Sequence, residues 1–245
     1  MKVKISRDQR FVDAIQRNLE ESPYSKYVEK VLEMLDGKVV YLWGGAVRDP
    51  IVRKLYGLNF ETRDFDLTVD DSEERIDLRG LLKGLNGMDS SRFGTPKWRP
   101  IKELEIDIGP FSAATILKRK NLPINIETAL ISCDVTTSAI AYGLKDKTIY
   151  SVKALEDIKK KEVNVLHPYG EGPSALMCRL VLQANHLGFE IGKKGKLYIA
   201  KRYSPDLDEH IRRFLEYKGA KKLFPSVVRR LRHIQEETRK IGTKG

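Results

Sequence analysis

The chain has 245 residues, 45 Lys and Arg against 34 Asp and Glu, a formal net charge of +11, and 41% hydrophobic with 32% charged residues. That composition excludes a disordered segment and suits one sizeable folded domain or two small ones. No apolar run approaches the roughly 18–20 residues of a membrane span. The opening "MKVKISRDQRF" lacks a signal peptide's apolar stretch, and Cys133 and Cys178 have no disulfide or zinc spacing, so a reducing, cytoplasmic setting is expected.

In chain order, Asp8 to Leu35 reads as helical, with Phe11, Ile15, Leu19, Val28, Val31 and Leu32 on recurring apolar faces and a break at "SPYS". "KVVYLW" reads as a short buried strand. Val47 to Tyr56 reads as a helix that tolerates Pro50 near its start, where a missing N–H costs little. "DFDLTV" is a second strand, and "ELEIDIG" (Glu103–Gly109) alternates strictly, with Leu104, Ile106 and Ile108 on one face and Glu105 and Asp107 on the other. "NIETALISCDV" suggests a further strand that embeds Cys133, "TTSAIAYGL" a helix, "KTIYSV" a strand and "ALEDIKKKEV" a charged turn or short helix. From Ser174 onward only helices are expected, broken at "GFEIGKKGK", read as a basic turn, and at "RYSPD". The pattern is α+β: a head over residues 1–167, then a helical neck over 168–245.

The positive charge is clustered, at Lys118–Lys120, Lys159–Lys161, Lys193–Lys196, Lys221–Lys222 and in "RRLR" at Arg229–Arg232. Such clusters attract polyanions, since each neutralised phosphate releases counterions. In "FPSVVRRLRHIQEETRK", Val227, Leu231 and Ile234 form an apolar stripe that leaves Arg229, Arg230 and Arg232 outward. The other reading of the charge is a lysine-rich surface with no partner.

The chemistry concentrates in "YLWGGAVRDPIVRKLYGLNFETRDFDLTV". Residues two apart on a strand share a face, so Asp64 and Asp66 present two carboxylates on one side of "DFDLTV". Two neighbouring carboxylates need a cation between them, and oxygen-only ligands select Mg²⁺ or Mn²⁺. Gly44 and Gly45 stand at a strand-to-helix junction, where backbone N–H groups and a helix N-terminus suit phosphate, with Arg48 one turn on. Asp107 or Glu105, on another strand, completes an acidic cluster. This is a site for metal-assisted phosphoryl chemistry. The four histidines, His167, His186, His210 and His233, have no metal-ligand spacing, and Trp43 and Trp98 read as packing residues ahead of base-stacking ones.

"GGAVRD" followed fifteen residues after Asp49 by "DFDLTV" resembles motif A of the class II tRNA nucleotidyltransferases (CCA-adding enzymes) and bacterial poly(A) polymerases, within the polymerase-β-like nucleotidyltransferase superfamily. "RFGTPKW" (Arg92–Trp98) is similar to that family's "GT" strand, "CDVTTSAIAYGL" to "RRDFTINALAYD", "ALEDIKKKEVNVL" to "GLEDLKNGVIRTV", and "LGFEI" to the end of the next helix. The resemblance runs from about Val39 to Ile191. It implies a nucleotidyltransferase head with a mixed sheet of about five strands and a helical neck. It also implies Asp64, Asp66 and Asp107 as catalytic carboxylates, the first two holding metal. Gly44, Gly45, Arg48, Asp49, Asp134 and Arg179 would bind the nucleotide. The substrates implied are an NTP (ATP, CTP or both) and an RNA 3′ end, with tRNA the leading acceptor.

The chain departs from the family at two places. Ser132-Cys133-Asp134 keeps the aspartate of "RRD" but neither arginine, and Ser138 replaces the asparagine of the same motif. The base-reading "EDxxR" falls in register on Gly172-Pro173-Ser174-Ala175-Leu176, with a second acidic–basic pattern at Asp208–Arg212. The neck is expected to end the chain before any tRNA-holding body. Two alternatives follow: nucleotidyl transfer to a different acceptor, or a non-catalytic RNA-binding or complex subunit that retains the fold. Whether a partner subunit or a second copy of the chain supplies the missing determinants is left open by the sequence.

Overall fold

The computed structural model describes residues 2–58, 62, 64–91, 94–168 and 172–242. It divides into two compact units, Met1–Ser132 with Ser138–Val152, and Cys133–Thr137 with Lys153–Gly245. The boundary expected at residue 167 falls inside the second of these.

The first unit is built on a mixed sheet. Its strands are β1 (Lys4–Ser6), β2 (Val40–Trp43), β3 (Asp64–Val69), β4 (Met88–Ser90), β5 (Pro96–Ile101), β6 (Leu104–Pro110), β7 (Ile140–Gly143) and β8 (Thr148–Ser151), in the order β1-β8-β7-β2-β3-β6-β5-β4. The pairing of β3 with β6 is parallel and the other pairings are antiparallel. The sheet therefore has eight strands among the described residues, against the expected five or so. The additions are three-residue edge strands, too short to carry a period, and β7.

β7 lies within "TTSAIAYGL", which had the small-residue look of a helix. Flanked by β2 and β8 and buried along its whole length, it has no polar face to alternate with. "NIETALISCDV" is the converse case. It forms a helix over Ile126–Ile131, started by Asn125, whose side-chain oxygen accepts from the Thr128 N–H at 2.9 Å. Cys133 lies in an irregular segment beyond that helix.

One face of the sheet is the core. Phe65, Leu67 and Val69 of β3, Ile106 and Ile108 of β6, Leu42 of β2 and Tyr142 of β7 are all almost fully buried and in register with one another. Helices cover this face. α1 (Gln9–Glu20) starts at Asp8, whose carboxylate accepts the Arg10 N–H, and it buries Phe11, Val12 and Ile15. α2 (Ser25–Met34) brings Tyr27 edge-on to Trp98, with ring centres 5.9 Å apart. α3 (Gly45–Tyr56) contains Pro50, packs on α1, β2, β3 and β7, and ends at Gly57 in the left-handed region, φ 65°. α4 (Leu78–Leu81), α5 (Thr115–Lys120) and α6 (Ile126–Ile131) are short connecting helices.

The second unit holds α7 (Ala154–Lys160), β9 (Glu162–Val163), α8 (Pro173–Leu187), β10 (Glu190–Ile191), α9 (Lys193–Arg202), α10 (Asp208–Tyr217) and α11 (Phe224–Gly242). β9 and β10 form a two-residue parallel ladder, so the neck is not purely helical. "GKKGK", expected as a turn, opens α9 instead: Gly195 sits buried against Ile191, Val163 and Leu180, where a larger residue would not fit. Val227, Leu231 and Ile234 of α11 are buried, as their spacing predicts, and α11 packs on α8 and α9.

A polar knot ties this unit together. Asn164 donates to Asp157 at 3.0 Å and Glu162 at 3.1 Å, accepts from the Gly195 N–H at 3.4 Å, and donates its own N–H to Thr136 Oγ1 at 3.2 Å. Thr136 in turn donates to Asp157 at 2.7 Å. Asn164→Ala removes a donor from the buried Asp157 and is expected to cost about 1–3 kcal/mol, read as a lower urea midpoint. An unchanged midpoint would remove Asn164 from the stabilising network.

Candidate active site

The face of the sheet opposite the core carries the charged residues. Asp64 is exposed and Asp66 partly exposed, while Phe65 and Leu67 between and beyond them are buried. The parallel register sets Glu105 beside Asp64 and Asp107 beside Asp66. On the other flank, antiparallel register sets Trp43 beside Asp66. Asp66 therefore stands between an acid and an indole on one surface.

Gly44 joins that surface to α3. Its backbone, φ 57° and ψ −119°, is of a kind that side-chain-bearing residues rarely adopt, and a Cβ there would lie 3.6 Å from Asp66 Oδ2. The Gly44 N–H donates to the Ile140 carbonyl at 3.0 Å, and its carbonyl accepts from Val47 and Arg48 at 3.2 and 2.9 Å. The first N–H groups of α3 have no acceptor within the helix. They carry its positive pole to the side of Asp66.

Arg48 lies one turn on, as expected, but it is not extended into solvent. Its Nε donates to Asp49 Oδ1 at 2.7 Å, Nη2 stands 2.6 Å from the same oxygen, and both side chains are under 10% exposed. A Cβ on Gly45 would meet Arg48 Nη2 at 3.5 Å, so the guanidinium folds back over the helix start. Arg48 and Asp49 form a buried ion pair beneath Gly45.

Sequence reasoning missed Lys97. β5 runs antiparallel to β6 with Lys97 opposite Asp107, and its Nζ lies 2.5 Å from Glu105 Oε1 and 3.4 Å from Asp107 Oδ1. Arg99 closes on Glu105 Oε2 at 2.6 Å. The signal was the period of "PKWRP", which turns Lys97 and Arg99 away from the buried Trp98 and towards the acids. Glu105 is thus committed to two cations. Asp107, beside Asp66, shares only Lys97 among these two cations.

Burial raises the Glu105 carboxyl, but the hydrogen bonds and charges of Lys97 and Arg99 outweigh it and leave the value below 4.5. Burial likewise opposes the charge on Lys97, and Glu105 and Asp107 reverse that effect and raise its value.

Asp134 and Arg179 belong to the second unit, where they form one ion pair at 3.0 Å with Asp134 buried. The Arg179 guanidinium lies 5.9 Å from the centre of the Phe214 ring. Leu176, at the position of the family's arginine, is buried, and Pro173 opens α8, so neither offers a polar edge. Asp208 accepts from Tyr203 at 2.8 Å and Arg232 at 2.9 Å, joining α10 to α11, and Arg212 lies over the Phe224 ring at 4.7 Å. Arg92 and Phe93 lie outside the described residues.

Among the described residues, no group of three or more His, Cys, Asp or Glu side chains is arranged to hold a metal ion. The donor set suits Mg²⁺ nonetheless, because that ion is commonly held by one or two carboxylates and completes its shell with water and substrate phosphates. Asp64 and Asp66, two apart on β3, are the two carboxylates that would hold it.

No family model matches the chain, and comparison with curated proteins returns no match. Solved structures do match. A CCA-adding enzyme in complex with CTP superposes with a TM-score of 0.64 at 20% identity, over 90% of this chain and 54% of the enzyme. A tRNA nucleotidyltransferase complexed with a primer tRNA and an incoming ATP analogue gives 0.59 at 23% identity, over 84% and 60%. A tRNA-processing enzyme in its apo form gives 0.59 at 22% identity, over 86% and 56%. The chain has the fold of these enzymes and spans a little over half their length.

The Glu105 contacts have a pH signature. Since its folded value is depressed, they stabilise the fold above the unfolded glutamate value of 4.5 and lose that effect as pH falls through the folded one. Carboxyl NMR should find Glu105 titrating below 4.5, and moving upward in Lys97→Met. No movement would mean that Lys97 does not set its charge.

Proposed function

We propose that this chain is a metal-dependent nucleotidyltransferase that adds nucleotides from an NTP to an RNA 3′ end, with tRNA as the acceptor. The observation that carries the reading is the register of β3. It aligns Asp64 and Asp66 on one face, with Asp107 beside Asp66 and the Gly44–Gly45 helix start within van der Waals reach of Asp66. The structural likeness to enzymes that hold CTP, an ATP analogue and primer tRNA supports it.

In this reading the N–H groups at the start of α3 take phosphate oxygens of the triphosphate. The Arg48–Asp49 pair keeps that turn in shape and adds a positive edge behind Gly45. Asp64 and Asp66 hold the Mg²⁺ or Mn²⁺, which when bound neutralises phosphate charge and favours ionisation of the attacking hydroxyl. Asp107 stands on the flank of Asp66 away from the helix start, where the RNA 3′ oxygen approaches the α-phosphorus. The 3′ hydroxyl gives up its proton to solvent and its oxygen bonds to the α-phosphorus, while the bond from that phosphorus to the bridging oxygen breaks and pyrophosphate leaves with the electron pair of the broken bond. Lys97 limits the repulsion between Asp107 and its neighbours.

The basic helices of the second unit supply the RNA surface. Lys193 and Lys194 are exposed in the first turn of α9, at the positive pole of a helix with no acid in that turn. Lysines there work against the helix dipole, and a phosphate relieves the conflict. Arg229 and Arg232 are exposed too, Arg232 bonded to Tyr203 and Asp208, and the partly exposed Arg230 is bonded to Asn185. Buried Leu176 and N-terminal Pro173 favour a nucleotide choice looser than a dedicated hydrogen-bonding site provides.

The test is incubation with each labelled NTP, Mg²⁺ or Mn²⁺ and tRNA trimmed at its 3′ end. Asp64→Ala and Asp66→Ala should each lower incorporation by at least about 10²-fold while leaving RNA affinity unchanged. Near-wild-type turnover in both would overturn the assignment. Charge reversal at Lys193, Lys194 and Arg229 should weaken many RNAs alike and flatten the dependence of affinity on salt. An unchanged salt slope would place the RNA on another surface.

A further inference from the structure

The two tryptophans occupy opposite kinds of place. Trp98 is 4% exposed on the core face, and its indole N–H donates to the Asn86 carbonyl at 2.8 Å. Trp43 is partly exposed on the acidic face, in register with Asp66, and the next residue is Gly44 at the helix start. Directly opposed residues on neighbouring strands have Cβ atoms about 4.5–5.5 Å apart, so the indole springs from beside the Asp66 carboxylate.

Trp43 is also braced from behind. Phe111, 1% exposed, meets it edge-to-face with ring centres 6.3 Å apart and planes at 64°. Tyr41 packs on Phe111 at 5.3 Å and on Tyr150 at 5.7 Å. A row of aromatic rings therefore fixes the indole at the rim of the acidic surface. Trp43 is packed on one side and keeps part of its ring open next to the carboxylates. It is placed to gain from a flat ligand laid against it.

The flank matters. Asp107 lies on the β6 side of Asp66, and Trp43 lies on the β2 side, which continues into the helix start. A triphosphate seated on α3 and Asp66 lies within one residue of Trp43. We propose that Trp43 is a binding residue for the incoming nucleoside triphosphate, its indole face stacking on the nucleobase. The proposal rests on the nucleotidyltransferase reading. Because every base has a π-face, a stacking platform gives affinity without discrimination. That matches a chain in which Pro173 and the buried Leu176 stand where the resemblance expects the base-reading aspartate and arginine.

The experiment uses the full chain with Mg²⁺ and ATP, CTP, GTP or UTP, one at a time. Binding is followed by calorimetry and, in parallel, by tryptophan fluorescence. Every NTP should change the wild-type emission, and Trp43→Phe should abolish that change while keeping most of the affinity, since Trp98 is walled in. Trp43→Ala should weaken all four NTPs by a similar factor, on the order of tenfold, raising KM with kcat little altered. Thermal melting of both variants checks that the Phe111 contact has not unfolded the sheet, and Trp43→Phe carries the test if Trp43→Ala melts early. NTP binding by calorimetry without a fluorescence change, or with equal affinity in Trp43→Ala, overturns the stacking role and leaves the transferase reading standing. Loss confined to one base overturns stacking in favour of edge recognition by the indole N–H. Absence of NTP binding in the wild type overturns both.

Discussion

The position of β3, held between β2 and β6, is the constraint on which the site depends. Its buried residues, Phe65, Leu67 and Val69, lock the register against Leu42, Ile106 and Ile108, and a slip by one residue would exchange the core for the acids. Hydrophobic burial on one face thus fixes carboxylate placement on the other. That placement is costly. Two like charges about 5 Å apart repel by roughly 3 kcal/mol at an effective dielectric of 20. Lys97 and Arg99 offset part of this and are largely taken up by Glu105. Asp64, Asp66 and Asp107 form an acidic surface on a chain whose net charge is +11, which is the arrangement a divalent cation and a triphosphate would complete.

Much of this was legible in the sequence because it rests on local rules. The alternation in "DFDLTV" and "ELEIDIG" gave both strands and their acidic faces, and the double glycine marked the helix start that Gly44's φ of 57° requires. What was not legible depends on pairing. Nothing in the residues of β7 announces that β2 and β8 will flank it, so its apolar, small-residue run passed for a helix. Lys97 is anonymous until β5 is set antiparallel to β6, and only then does it face Asp107. Arg48 was correctly placed on the first turn, yet its burial against Asp49 is a tertiary fact.

The second unit shows the same division. Stripe spacing located the buried Val227, Leu231 and Ile234 of α11, but not the bonds that tie Arg230 to Asn185 and Arg232 to Tyr203 and Asp208. Gly195 explains why "GKKGK" opens a helix: the helix start lies close against Val163 and Leu180, a contact no local pattern encodes. The Asp134–Arg179 pair unites two residues 45 positions apart that resemblance had selected separately. Fold, acidic surface and basic helices point in one direction, while the base-reading segment departs from it at Pro173 and Leu176.

The central claim is that Asp64 and Asp66 hold a divalent cation jointly with a triphosphate. Electron paramagnetic resonance of Mn²⁺, titrated into the full chain with and without NTP, tests it most directly. The account predicts weak binding by the protein alone, tighter binding when NTP is present, and loss of that gain in Asp64→Asn and in Asp66→Asn. Mn²⁺ binding that is indifferent to NTP, or unchanged by both substitutions, would contradict it.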